Sequence, residues 1–176
     1  MNHQNLVDKC KHGDRRAQEE LFRSYVGAMY NVAVRMVGDR DEAEEVVQEA
    51  FIKVFAKISQ YEGKSTIGAW IKRIVVNQAL NHLKKNKLVF EPIDGLEAEE
   101  EENDDWPELA AKQIHLAIKE LPKAARAVVS LHLIEGYKHR EIAEMLGIGE
   151  STSRSQYIRG RDMLRVQLRS RVNDLK

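Results

Sequence analysis

The chain has 176 residues, 28 basic (Lys/Arg) and 28 acidic (Asp/Glu), with 43% hydrophobic and 32% charged residues, which suits one or two small globular domains. Its one cysteine, Cys10, excludes an intramolecular disulfide framework and fits a reducing cytoplasm. No apolar run nears the ~20 residues of a membrane span, and the polar Met1–Cys10 stretch is no signal peptide. The zero net charge hides an asymmetry. Residues 1–90 carry 15 bases and 11 acids, residues 91–107 no base and 9 acids, and residues 108–176 13 bases and 8 acids, so two basic segments flank an acidic one.

Scarce glycine and proline, 10 and 3, with no strand-like alternation, predict an all-α chain. Gly13–Asp14 reads as a C-cap glycine followed by an N-cap aspartate. It opens a helix with Leu21, Phe22, Tyr25, Met29, Val32 and Met36 along one face. Gly38–Asp39 breaks the chain again. The next helix, Asp41–Ile58, has an unbroken apolar stripe from Ala43 and Val46 through Phe51 and Val54 to Ile58. Ser65 or Thr66 caps a third helix that runs to about Lys85.

The stretch 91–107, with its run Glu99–Glu102 and Asp104–Asp105, cannot bury enough apolar surface to pack and is expected to be a flexible linker. It divides a helical domain at 1–90 from another at 108–176. In the second domain Leu109–Leu121 reads as helical, Pro122 starts the next helix, and Gly136 closes it after Ile134. A short helix His139–Leu146, a turn at Gly147 and a long basic helix Glu150–Arg169 then form a helix-turn-helix pattern, which places a second helix in a DNA major groove.

Three segments carry functional signals. On the third helix Arg73, Asn77, Asn81, Lys84 and Lys85 share one face. Between Glu62 and Glu91 there are six bases and no acid. Asparagine can pair with a base edge and lysine can neutralise phosphate, so this face points to nucleic acid more than to plain solvation. Tyr61 and Trp70 flank the loop Glu62–Ala69, whose Gly63, Lys64, Ser65 and Thr66 could hold an unstacked base, although Trp70 at helical spacing is better placed in the core. The last helix carries Arg154, Arg159, Arg161, Arg165, Arg169 and Arg171, with Thr152, Ser155 and Gln156 in its first turns. The preceding glycine turn favours DNA over a membrane surface for it. The outer face of the stripe helix, Asp41, Glu42, Glu44, Glu45, Gln48 and Glu49, repels DNA. It is either a solvated face or a docking surface for a basic protein. Six histidines lack metal-ligand spacing; His132 reads as a partly buried helix residue and His139 as a phosphate contact. No phosphate loop, nucleophile elbow or paired-carboxylate site is present, so neither a catalyst nor a cofactor or small-molecule substrate is expected.

These segments together resemble the extracytoplasmic-function (ECF) type of the sigma-70 family of RNA polymerase sigma factors. GDRDEAEEVVQEAF at 38–51 is similar to the family's core-polymerase-binding segment. YEGKSTIGAWIKRIVVN at 61–77, with ALNHLKK at 79–85, resembles its −10 loop and helix. Leu121-Pro122, EIAEMLGI at 141–148 and TSRS at 152–155 resemble its −35 helix-turn-helix. The resemblance implies a subunit that binds core RNA polymerase and directs promoter-specific initiation without itself being an enzyme. Asp41, Glu44, Glu45, Gln48 and Glu49 would grip a coiled coil of the large polymerase subunit. Tyr61, Lys64, Ser65, Thr66, Ile67, Arg73, Asn77, Asn81, Lys84 and Lys85 would meet the −10 element and hold a flipped base. Thr152, Arg154, Ser155, Gln156, Ile158, Arg159 and Arg161 would meet the −35 element. An inhibitory anti-sigma protein is a further implied partner, and the acidic linker would thread toward the polymerase cleft.

The sequence departs from the family pattern at four places. Ile67 stands where an aromatic is usual, Lys138 where a serine cap is usual, Gln156 where arginine is common, and Ser153 replaces a β-branched apolar residue. The last change predicts looser packing inside the helix-turn-helix. Two other classes leave part of the pattern unexplained. A DNA-binding regulator that never meets polymerase does not account for the acidic helix face, and a sigma-sequestering protein does not account for the basic ones.

Overall fold

The computed structural model describes residues 3–90 and 111–173. The acidic stretch 91–107, and with it the linker expectation, lies outside the described residues. The chain is all-α and divides into two compact units, Met1–Lys85 and Asn86–Lys176. Among the described residues all regular structure is helical.

The first unit holds α1 (His3–Lys11), α2 (Arg15–Val37), α3 (Arg40–Lys57, extended by a 3-10 turn Ile58–Gln60) and α4 (Ile67–Lys85). Two aspartates set where its helices begin. The Asp14 carboxylate accepts from the Arg16 and Ala17 amides at 2.9 and 3.1 Å, and Asp39 accepts from Asp41 and Glu42 at 2.9 and 3.0 Å. Each such cap contributes ~1 kcal/mol by satisfying amides that have no partner in the first turn. Gly38, at φ 80, ends α2 in the left-handed conformation and returns its amide to the Val34 carbonyl. With both joints so short, α2, α3 and α4 pack side by side around Leu21, Met36, Val46, Val54, Ile71 and Leu80, all buried. Burying each of these side chains contributes about 1.5–3 kcal/mol. α1, for which the sequence carries no clear signal, packs on α2 and on the 3-10 turn. It buries the lone Cys10, whose thiol is pushed up in pKa by burial and by the carboxylates of Asp14 and Glu20. Such a thiol is unreactive.

The second unit contains α5 (Ala111–Lys119), α6 (Lys123–Val129), α7 (His139–Leu146) and α8 (Glu150–Asn173). Instead of continuing as one α-helix to Ile134, the chain after α6 widens into a π-helical segment, Ser130–Ile134. Pro122 stands at the start of α6, where its missing amide costs nothing. Gly147, left-handed at φ 68, turns the chain from α7 into α8. α8 is the spine of the unit, packing on α5, α6 and α7. Its buried face runs through Ser153, Gln156, Tyr157, Gly160, Leu164 and Leu168. At Gly160 the helices come so close that a Cβ would lie 2.5 Å from Val129 Cγ2. Only a hydrogen fits there.

Candidate functional site

Asp41, Glu44, Glu45 and Gln48 are exposed along the outer face of α3, opposite the buried stripe. Glu49 differs. It is half-buried at the α3–α4 boundary and accepts a hydrogen bond from the side-chain amide of Gln78, whose oxygen accepts from the Lys53 ammonium. Gln78 is only 4% exposed. A second link joins the same helices, His82 Nε2 lying 3.1 Å from Glu42 Oε2. The sequence reading missed Gln78 and His82 in this setting. Their signal was weak but present, because Gln78 lies between the buried Val75–Val76 and Ala79 on α4.

The loop after α3 is closed by its own ends. Tyr61, 8% exposed, donates from its hydroxyl to the Ser65 carbonyl, and its ring lies 5.6 Å from that of Trp70. Lys11 at the end of α1 donates to the Tyr61 carbonyl at 2.8 Å, its ammonium 5.8 Å from the ring centroid. Thr66 Oγ1 accepts from the Ala69 amide at 3.2 Å and so caps the start of α4. Tyr61 and Ile67, expected among the base contacts, are therefore core residues that shape the loop from below. A buried phenol and a 5% exposed isoleucine offer a base no surface on which to stack. Trp70, expected in the core, is half-exposed. Lys64, Ser65 and Thr66 stand exposed on the loop, Lys64 paired with Glu62. Beyond it Arg73, Asn77, Asn81, Lys84 and Lys85 are all exposed on one face of α4, while Ile71, Val75, Ala79 and Leu83 on the opposite face are buried. The loop and this face form one continuous polar and basic strip.

On α8, Arg159 is exposed and Thr152, Arg154, Ser155, Ile158 and Arg161 are partly so. Arg154 pairs with Glu150 at 2.7 Å, and Arg161 lies 3.3 Å from Asp162. Gln156, expected on the reading face, is 2% exposed and belongs to the inner face of the helix. His139, expected at a phosphate, is 6% exposed. Its Nδ1 lies 2.9 Å from Ser153 Oγ. His132 stacks on it at 4.2 Å, and Tyr157 meets both rings edge-on. Ser153 thus packs through a buried hydrogen bond instead of a branched methyl, and the joint between α7 and α8 is filled rather than loose. Burial, followed by the nearby charges of His132 and Arg154, lowers the His139 pKa to about 4 against a smaller opposing pull from Glu150. At neutral pH this histidine is an uncharged core residue.

Among the described residues no group of three or more His, Cys, Asp or Glu side chains could hold a metal ion. No described helix is long and apolar enough to cross a membrane.

Residues 21–89 match sigma-70 region 2, and residues 111–164 match sigma-70 region 4. The RNA polymerase sigma-H factor of Pseudomonas aeruginosa is 30% identical over 175 residues, covering 92% of this chain and 91% of that protein. The ECF RNA polymerase sigma factor SigW of Bacillus subtilis is 29% identical over 177 residues, covering 93% of this chain and 95% of that one. Two solved structures share the fold. RpoE of Bartonella quintana, in complex with the anti-sigma factor NepR, has a TM-score of 0.55 at 22% identity and covers 86% of this chain and 96% of its own. CnrH, in complex with the cytosolic domain of CnrY, has a TM-score of 0.52 at 18% identity and covers 94% and 96%. A helical unit with a basic strip, followed by a helix-turn-helix unit, is the make-up of a transcription initiation subunit. The chain belongs to the sigma-70 family of RNA polymerase sigma factors, of the ECF type, and directs promoter-specific transcription initiation when bound to RNA polymerase. Its role is that of a regulatory initiation factor.

Proposed function

We propose that the two units divide promoter recognition between them. The first reads and opens the −10 element with Lys64, Ser65, Thr66, Arg73, Asn77, Asn81, Lys84 and Lys85. The second docks on the −35 duplex with Thr152, Arg154, Ser155, Ile158, Arg159 and Arg161. Asp41, Glu44, Glu45, Gln48 and Glu49 on α3 grip a basic surface of core polymerase. The observation that carries this reading is the exposed strip of α4, two asparagines spaced among three bases with every opposite position buried. Asparagine is a mediocre helix former, so its place there is accounted for by what it binds. Tyr61 and Ile67 support the loop from inside, and Gln156 supports α8. The protein works in the cytoplasm, and an anti-sigma protein of the kind bound to RpoE restrains it by covering these surfaces.

The test separates binding from melting. Arg159→Ala weakens closed-complex binding to duplex promoter, by about 1–3 kcal/mol for a bidentate base contact. Asn77→Ala leaves duplex binding nearly intact and impairs opening, because extruding a base costs a few kcal/mol that its contacts must offset. A template already melted at the −10 element partly rescues Asn77→Ala and not Arg159→Ala, as read by permanganate footprinting beside duplex binding. Equal rescue of both variants refutes the division.

A further inference from the structure

Glu49 and Lys53 stand four residues apart on α3, the spacing at which a glutamate and a following lysine pair directly on a helix surface. Here they do not share a direct bond. The Gln78 side chain, reaching across from α4, accepts from the ammonium with its oxygen and donates to the carboxylate with its nitrogen. A carboxamide serves both at once without a charge of its own. The orientation is fixed by chemistry, since the flipped amide would turn its nitrogen to the ammonium and its oxygen to the carboxylate. At 4% exposure Gln78 sits in a slot between the two helices, while Glu49 at its rim remains partly open to solvent.

We propose that Gln78 is a positioning residue that holds Lys53 off Glu49, so that the carboxylate, anchored through one oxygen, makes no direct ion pair with Lys53 and keeps its other oxygen for a cationic group of core polymerase. The proposal rests on the reading of α3 as the polymerase-docking helix. Around the site α3 contributes Glu45, Gln48 and Glu49 as acceptors and Lys53 as the nearest cation. Direct pairing of Lys53 with Glu49 would cancel one charge of the face at its edge. A carboxylate held by a neutral amide donor keeps its full charge and lacks the freedom to swing away, so less entropy is lost when a partner binds.

The experiment measures the affinity of the full chain for core RNA polymerase in wild type, Gln78→Met, Lys53→Met and the double variant, at one fixed salt concentration. Methionine has nearly the length of glutamine and no hydrogen-bonding amide, so the slot stays filled. Gln78→Met lets Lys53 close onto Glu49, and affinity falls roughly two- to fivefold, the size of one partly exposed charge contact. In the Lys53→Met background the same change has no further effect, because no ammonium is left to capture the carboxylate. A residue that merely glued α3 to α4 would weaken binding equally in both backgrounds. Wild-type affinity in Gln78→Met, or a loss that persists undiminished without Lys53, overturns the proposal. Should Gln78→Met lower the thermal midpoint, the same cycle is run with Gln78→Leu, and the comparison between the wild-type and Lys53→Met backgrounds decides as before. Glu45→Lys combined with Gln48→Ala is measured alongside. If that pair leaves affinity unchanged, the docking face itself is wrong and the proposal falls with it. If it weakens binding while Gln78→Met does not, only the positioning role fails.

Discussion

Substituting Gly160 by alanine tests the packing that orients α8. At an open helix position this change stabilises by about 0.5–1 kcal/mol, since glycine loses more backbone entropy on folding. Here the new methyl would lie 2.5 Å from Val129 Cγ2, 3.4 Å from Ala125 Cβ and 3.5 Å from the Ala125 carbonyl oxygen. Val129 is fully buried, and a β-branched side chain on a helix has one strongly preferred rotamer, so it cannot rotate aside. Relief must come from moving α6 away from α8. Overpacking of this kind costs about 1–3 kcal/mol, which leaves Gly160→Ala destabilising by about 1 kcal/mol at the midpoint, and up to about 2.5 kcal/mol, after the backbone gain. Hydrogen exchange on the full chain separates the units: amides of α6 and α8 lose that much protection while those of α2–α4 keep theirs. Adding Val129→Ala removes the clashing methyl, and the double variant should be less destabilised than the sum of the singles. A Gly160→Ala protein more stable than wild type would refute the reasoning, because the helices would then be far enough apart to admit a side chain.

Two further expectations concern the other polar contacts. The His139 pKa is lowered to about 4 in the folded protein from its ordinary 6.5. The folded state therefore binds fewer protons than the unfolded chain between those values. Its stabilising share is complete above pH 6.5 and drains away as pH falls toward 4, on the order of 3 kcal/mol in full. The difference in urea stability between wild type and His139→Asn should shrink steadily from pH 7 to pH 4.5, and a constant difference would show that His139 does not titrate in this way. In the first unit, Lys11→Met removes the bond to the Tyr61 carbonyl, so amide exchange at residues 62–66 should accelerate several-fold with α3 and α4 unaffected. Unchanged exchange there would mean that the loop is closed by Tyr61 and Ser65 alone.

Much of this architecture can be read from local chemistry. Gly38–Asp39 pairs a left-handed stop with an amide-capturing start, and the apolar stripe of α3 repeats without interruption, so both were visible in the residues. Errors arose where a polar side chain was read by its type and not by its phase. His139 stands at the head of the series Ile142, Ala143, Leu146, and Gln156 between Ser153 and Gly160. In each case helical spacing places the residue on the buried face. The burial of Tyr61 and Ile67 is hidden for the opposite reason. They flank an irregular loop with no period to consult, and the contacts of Tyr61 with Lys11 on α1 and Trp70 on α4 form only once those helices have packed. The Glu49–Gln78–Lys53 relay spans two helices, and neither helix alone marks more than the inward phase of Gln78.

The two-residue joint at Gly38–Asp39, like the turn before Asp14, lets α2 and α3 each fold back on its predecessor without a loop to close. Small helical units of this kind fold in microseconds to milliseconds. A ribosome adding about 5–20 residues per second needs several seconds to make the second unit. The acidic face of α3 and the strip on α4 therefore exist in finished form while the helix-turn-helix is still being synthesised. On the division of roles proposed above, every newly made molecule passes through an interval in which it carries the docking face and the −10 strip without the −35 helix.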